Sequence, residues 1–251
     1  MRHGSRQFAV RSSQFAGLAL VAVGLLVAGC ESTQDKSARL EREGGGSLAG
    51  QKGVVVSKQS NDVKVLSTDV IQDENGTAAV VRMRNTGKTA LAQVPVSIDV
   101  RARAGKSVFR NNQPGLEPAL VRVPLLRARE EFTWVNDQIA AAEKPRAVRA
   151  KVGEAQAVRS APPKVTVTAP HLEQDPVSGV AAVGFVANRS RIDQRKLVVF
   201  AVARRGGRVV AAGRAQINRL KAGKRARYTV FFIGNPRGAR ISLEAPPTRL
   251  N

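Results

Sequence analysis

From Asp62 onward, apolar residues recur at every second position. Val94, Val96, Ile98 and Val100 alternate with Pro95, Ser97, Asp99 and Arg101, and Phe132 and Trp134 flank Thr133. A period of two sends alternate side chains to opposite faces of an extended strand, and a helix cannot gather such residues on one side. Further on, Val198, Phe200 and Val202 share one face while Leu197, Val199 and Ala201 share the other. Turn chemistry separates these runs at Asn75-Gly76, Ala104-Gly105, Gly206-Gly207, Ala222-Gly223 and Asn235-Pro236. Glycine and asparagine accept positive φ at little cost, so such pairs close hairpins. No convincing amphipathic helix follows the N-terminal segment. Short strands at regular spacing predict an all-β chain of sandwich type. Trp134 and Tyr228 are the only residues of their kinds, so the core has to be aliphatic, with Val and Ala dominant.

The chain also repeats itself. Gln72-Asp73 returns as Gln174-Asp175, and Asn85-Thr86-Gly87 has its counterpart in Asn188-Arg189-Ser190. The next strand keeps the same spacing, so Val94, Val96, Ile98 and Val100 map onto Leu197, Val199, Ala201 and Ala203. Leu126-Arg127-Ala128 precedes Phe132-Thr133-Trp134 as Leu220-Lys221-Ala222 precedes Tyr228-Thr229-Val230. Landmarks in one order argue for duplication, with a break near Ser160-Ala161-Pro162-Pro163. Two tandem β-sandwiches are expected, over residues 53–160 and 161–251. The first has a longer loop, Arg110–Ala119, and the apolar stretch Leu116, Pro118 and Leu120 reads either as a packed lid or as a docking surface.

Strand, Asn-led turn, alternating apolar strand, Gly turn and then Leu-Lys-Ala-Gly223 before a Tyr228 strand resembles the FxLYD-type and related immunoglobulin-like modules of bacterial envelope proteins. The match is best over Gly179–Ile233 and weaker over Gly76–Val135. The eponymous Phe-x-Leu-Tyr-Asp would fall on Phe200-Ala201-Val202-Ala203-Arg204, where Phe200 and an aliphatic Val202 are kept and Tyr and Asp are absent. The resemblance therefore implies a fold, two immunoglobulin-like sandwiches, and no particular activity.

The N-terminus carries a different message. Arg2, Arg6 and Arg11 precede the apolar run Leu18–Gly29, which ends on Val27-Ala28-Gly29 before Cys30, the one cysteine of the chain. The run is short for a membrane span, which needs ~20 residues. A basic start, an apolar core and small residues before a cut describe a secretory signal. A lone cysteine at that cut resembles the bacterial lipobox. The resemblance implies cleavage before Cys30 and its acylation, hence a lipid-anchored protein on the extracytoplasmic side of a cell membrane. A plain secretory signal would not need Cys30, and an uncleaved anchor would have a longer core. Residues 1–29 are thus expected to be a lipoprotein signal peptide. Residues 30–52, with Gly44-Gly45-Gly46 among mixed charges, are expected to be a flexible tether reaching roughly 25 Å.

The net charge is +22, and it is unevenly spread. Residues 163–251 hold 17 basic and four acidic residues. Arg204, Arg205 and Arg208 bracket the Gly206-Gly207 turn, and Lys221, Lys224, Arg225 and Arg227 approach the next strand. These seven are the candidate anion-binding residues, because guanidinium forks pair with phosphate and carboxylate. The alternative is an arginine-rich composition spread over solvated strand faces. Catalytic chemistry has little to work with. His3 leaves with the signal and His171 stands alone; a Ser-His-Asp triad would have to use it, whereas a solvent-facing loop histidine is expected, and a zinc site wants more Cys or His ligands than the mature chain supplies. Glu130-Glu131 are adjacent on a strand and point apart. Asp73-Glu74-Asn75-Gly76 offers oxygens in a tight turn but lacks the spacing of a calcium loop. No catalytic residue, metal or cofactor is expected. The expected partners are a bilayer through Cys30 and an envelope protein or anionic polymer; extracytoplasmic placement argues against nucleic acid.

Overall fold

The computed structural model describes residues 53–141 and 143–251. Val27, Ala28, Gly29 and Cys30, with the signal segment and the tether, lie outside the described residues. All described residues belong to one compact unit, and every strand pairing within it is antiparallel. The helical content of the described residues is two short 3-10 turns.

The first half builds β1 (Val63–Asp73), β2 (Gly76–Asn85), β3 (Ala90–Arg101), β4 (Ser107–Arg110), β5 (Arg122–Leu126), β6 (Glu131–Asn136), β7 (Ala147–Val152) and β8 (Gln156–Val158). The second builds β9 (Val165–Val167), β10 (His171–Asp175), β11 (Gly179–Asn188), β12 (Gln194–Arg205), β13 (Arg208–Leu220), β14 (Arg225–Phe231), β15 (Ile233–Gly234) and β16 (Arg240–Glu244). Each half folds into two facing sheets. In the first, β1-β2-β6 faces β4-β3-β5, with β7 and β8 also on β3; in the second, β10-β11-β14, with β9 on β11, faces β15-β13-β12-β16. Among the described residues, no strand pairs across residues 159–164.

The repeat holds atom by atom. Asn85 and Asn188 are fully buried. Asn85 Nδ2 donates to the Thr89 and Leu126 carbonyls at 2.8 and 3.4 Å, and its Oδ1 accepts from the Gly87 N–H at 2.9 Å. Asn188 Nδ2 donates to the Ile192 and Leu220 carbonyls at 2.8 and 3.2 Å, and its Oδ1 accepts from the Ser190 N–H at 3.1 Å. Both halves also carry a residue with positive φ at the same place on the next strand, Gln93 at 53° and Lys196 at 47°. That conformation is uncommon without glycine, so its recurrence marks the same backbone twice.

One register differs from the sequence alignment. Val81 pairs with Trp134 and Gly184 with Tyr228, so Trp134 corresponds to Tyr228 and Phe132 to Ala226, a shift of two residues. The physical counterpart is clear. Trp134 Nε1 donates to the Ala119 carbonyl at 2.8 Å, and Tyr228 Oη donates to the Thr168 carbonyl at 3.0 Å. Each is the largest fully buried side chain of its half and spends its polar tip on a backbone oxygen. Glycine at 184 is required here, because a Cβ would lie 2.5 Å from the Tyr228 hydroxyl.

The long loop of the first half is a lid. Asn111 is buried; it accepts from the Ile98 N–H and donates to the Val96 and Leu120 carbonyls. Leu120 and Val121 pack with Val54, and Leu116 rests against them.

The two halves stack face to face. Leu197, Val199, Ala201 and Ala203 of β12 pack with Ala182, Val186, Tyr228 and Val230 of their own sandwich. Val198, Phe200 and Val202, on the other face, join Val80, Phe132 and Val135 in the core of the first half. The Phe132 and Phe200 rings meet edge to face, with centroids 5.3 Å apart. The result is four sheet layers, with β12 and much of β2 and β6 buried on both faces. Residues buried on both faces lose the alternation of a half-buried strand, which accounts for the unbroken apolar run Leu197–Ala203.

Candidate anion-binding surface

The seven basic residues singled out by the sequence fall into four environments. Arg204 lies on the same face of β12 as Phe200 and Val202, so strand geometry turns it toward the first half instead of the hairpin tip. Its guanidinium donates to Thr133 Oγ1 at 3.2 Å and Ser242 Oγ at 3.3 Å. Burial and the nearby Arg82 lower its pKa, while Asp69 and Glu244 act the other way. Arg205 and Arg208 do sit at the exposed tip, where they are cross-strand neighbours. Arg205 donates to the Arg237 carbonyl, and Arg237 donates to Gln174 Oε1 at 2.6 Å.

Lys221, Lys224 and Arg225 lie at the other end of β13, roughly 40 Å away at ~3.3 Å per residue. They surround the Asn188 corner. Lys224 is bound there through its backbone, since its carbonyl accepts from the Asn188 N–H at 2.9 Å. Arg189 N–H donates to the Lys164 carbonyl at 2.8 Å, which adds two exposed cations the sequence reading missed. Arg191 is exposed on the same turn. No charge run marks Lys164, because the contact that brings it in spans 25 positions. Arg227 is neutralised instead, with both Glu173 oxygens 3.0 Å from its Nη2.

Among the described residues, no carboxylate is within ion-pair distance of Lys164, Arg189, Arg191, Lys224 or Arg225. The one acid of this corner, Asp193, accepts from the Ala222 N–H at 2.9 Å and from Arg219 at 2.8 Å. These bonds hold its carboxyl below the usual carboxylate range. Arg225 caps the exposed Phe185 ring, its guanidinium carbon 4.8 Å from the centroid. A cation over an aromatic face keeps its charge available to solvent anions.

Other acids among the described residues are engaged elsewhere. Glu131 pairs with Arg82, and Glu130 with Arg127. Between the halves, the Arg214 side chain is 6% exposed, with Asp137 Oδ1 2.6 Å from Nε and Glu117 Oε2 3.6 Å from Nη1. Asp73, in the turn that offered carboxylate oxygens, accepts from the Asn75 N–H at 2.8 Å and the Gly234 N–H at 2.7 Å. It thus ties the first hairpin to the second half. Glu244 lines a cleft of about 190 Å³ between the halves, together with Leu125, Arg127, Glu130, Val165 and Pro246. Burial pushes its pKa up to about 7, against the Thr133 N–H that donates to its carboxylate. His171 is exposed, with Nε2 2.8 Å from Glu173 Oε1.

No protein-family model matches the chain, and no curated protein matches it.

Proposed function

We propose that this chain is a lipid-anchored extracytoplasmic lipoprotein whose stacked, immunoglobulin-like sandwiches serve as a non-catalytic binding or structural module of the bacterial cell envelope. The observation that carries this reading is Cys30 immediately after Val27-Ala28-Gly29, at the end of the apolar run Leu18–Gly29. The fold supports it: an all-β body with a common core between its halves presents loops and sheet faces in a constant arrangement. A second reading, binding of anionic envelope polymers or lipid headgroups through the second sandwich, is supported by the cations without carboxylate partners around Asn188.

Intact mass and membrane fractionation of the native protein and of Cys30→Ser, expressed in a bacterial host, test the anchor. The expected outcome is a mass of residues 30–251 plus acyl chains, with membrane retention lost in Cys30→Ser. A Cys30→Ser protein still processed and retained in the membrane would overturn it.

A further inference from the structure

The duplication supplies an internal control for the charge. The Asn85 and Asn188 corners have the same hydrogen bonds, so their residues can be matched one to one. Thr86 N–H donates to the Asp62 carbonyl as Arg189 N–H donates to that of Lys164. Asn85 N–H donates to the Glu130 carbonyl as Asn188 N–H donates to that of Lys224. Around Asn85 the positions read Asp62, Thr86, Lys88, Ala90, Arg127, Arg129, Glu130 and Glu131; around Asn188 they read Lys164, Arg189, Arg191, Asp193, Lys221, Gly223, Lys224 and Arg225. One backbone carries three basic and three acidic residues in the first copy, and six basic residues with one acid in the second. The fold does not require Lys164, Arg189, Lys224 and Arg225, because the first copy builds the same corner with Asp62, Thr86, Glu130 and Glu131 in their places. A general arginine bias would load both corners alike.

A second exchange accompanies the first. Arg84 pairs with Glu131 in the register, and Ala187 with Arg225 at the matching place. Arg82 of the first copy, salt-bridged to Glu131 at 2.5 Å, thus corresponds to Phe185 of the second, capped by Arg225. An ion pair has become an exposed aromatic beside a cation. Cations around an exposed aromatic suit the headgroup region of a bilayer, where phosphates meet the charge and the ring enters the apolar boundary. A hydrophilic polymer would leave the ring without a role.

We propose that the Asn188 corner of the second sandwich docks on the phosphate headgroups of an anionic bilayer, with Phe185 entering the interface. The choice of a bilayer as partner rests on the lipoprotein reading, which brings the membrane within reach of the tether. The docking test does not use Cys30, so the two can fail separately.

The test uses the chain from Ser32, which contains the whole compact unit, sedimented with vesicles of phosphatidylcholine alone or mixed with phosphatidylglycerol. Binding is expected only with phosphatidylglycerol and is expected to weaken as salt rises. Replacing Lys164→Asp, Arg189→Thr, Lys224→Glu and Arg225→Glu installs the first copy's residues and should lower binding at least about tenfold. Arg205→Glu, Arg208→Glu and Arg237→Glu together remove comparable charge at the far tip and should change it by less than about threefold, since those charges lie beyond several Debye lengths from the docked surface. Phe185→Ser should weaken binding without altering the salt dependence. Thermal melts by circular dichroism check that each variant folds; if the quadruple does not, Lys224→Glu with Arg225→Glu carries the comparison. Equal loss from the corner and tip variants would reduce the effect to net charge and overturn the proposal. So would binding of soluble polyphosphate without binding to vesicles.

Discussion

β3 and β12 are the same strand in two copies, and their outward faces are opposites. Pro95, Ser97, Asp99 and Arg101 of β3 correspond to Val198, Phe200, Val202 and Arg204 of β12. The inward faces are alike, Val94, Val96, Ile98 and Val100 against Leu197, Val199, Ala201 and Ala203, all buried. The difference lies in what covers the second face. On β3 it is half exposed and polar, with Asp99 held by Ser107 and Arg101. On β12 it is the floor of a second core, under β1-β2-β6 of the first half. On this strand the stacking of the halves goes with an exchanged outward face and a retained inward one. The exception proves informative: arginine is kept at the fourth position, and Arg204 is accommodated because Thr133, Ser242, Asp69 and Glu244 surround it with oxygens.

The contrast can be broken at one position pair. Phe200→Ala should destabilise by about 3–5 kcal/mol, because it empties a fully buried site and removes the ring contact with Phe132. Ser97→Ala, at the matching position, should cost within about 0.5 kcal/mol. Urea melts of both variants measure this; similar losses would mean that the halves are not packed through β12. A second variant addresses the polar part of the same interface. Arg214→Ala removes the guanidinium that pairs with Asp137 in a largely buried setting, leaving only the backbone N–H of residue 214, and should cost up to about 3 kcal/mol, seen as a lowered urea midpoint.

The interface should also respond to pH. Glu244 titrates near 7 in the folded protein, above its unfolded value of about 4.5, so the folded state binds the extra proton between these values. Stability should therefore fall as pH rises from about 4.5 through 7, by no more than about 3 kcal/mol. Asp69, raised by burial, adds to the slope in the same direction. Glu244→Gln should flatten most of that slope and raise stability at pH 8, while leaving pH 4 unchanged. A wild-type slope of the opposite sign over this window would refute the assignment. Asn85→Ala and Asn188→Ala sharpen the equivalence of the two corners: each strips donors from two carbonyls and should cost about 2 kcal/mol, with the two values agreeing closely.

Much of this was legible in the chain. The period of two and the turn pairs announced strands; the two Asn-led turns announced a repeat. The double apolar face of β12 was visible as Leu197–Ala203. Its covering partner was not, since burial on both faces reads the same whichever surface supplies the second layer. Trp134 was placed two residues out of register, because an aromatic-Thr pattern in Tyr228-Thr229 imitates Phe132-Thr133, and only backbone pairing with Val81 and Gly184 separates them. Arg204, Arg205 and Arg208 looked like one cluster by proximity along the chain, yet Arg204 turns inward by the same alternation that buries Phe200. Lys164 joined the basic corner only through a backbone bond to Arg189.

By itself, then, the sequence determined the all-β class, the duplicated order of elements and the inward faces of each sandwich, because these depend on local periodicity and turn chemistry. The tertiary structure alone decided that the two sandwiches share a core, that Arg204 and Glu244 belong to that interface, and that cations from three separate loops meet at Asn188. Those outcomes depend on which faces touch, and contacts between residues far apart in the chain leave no period in it.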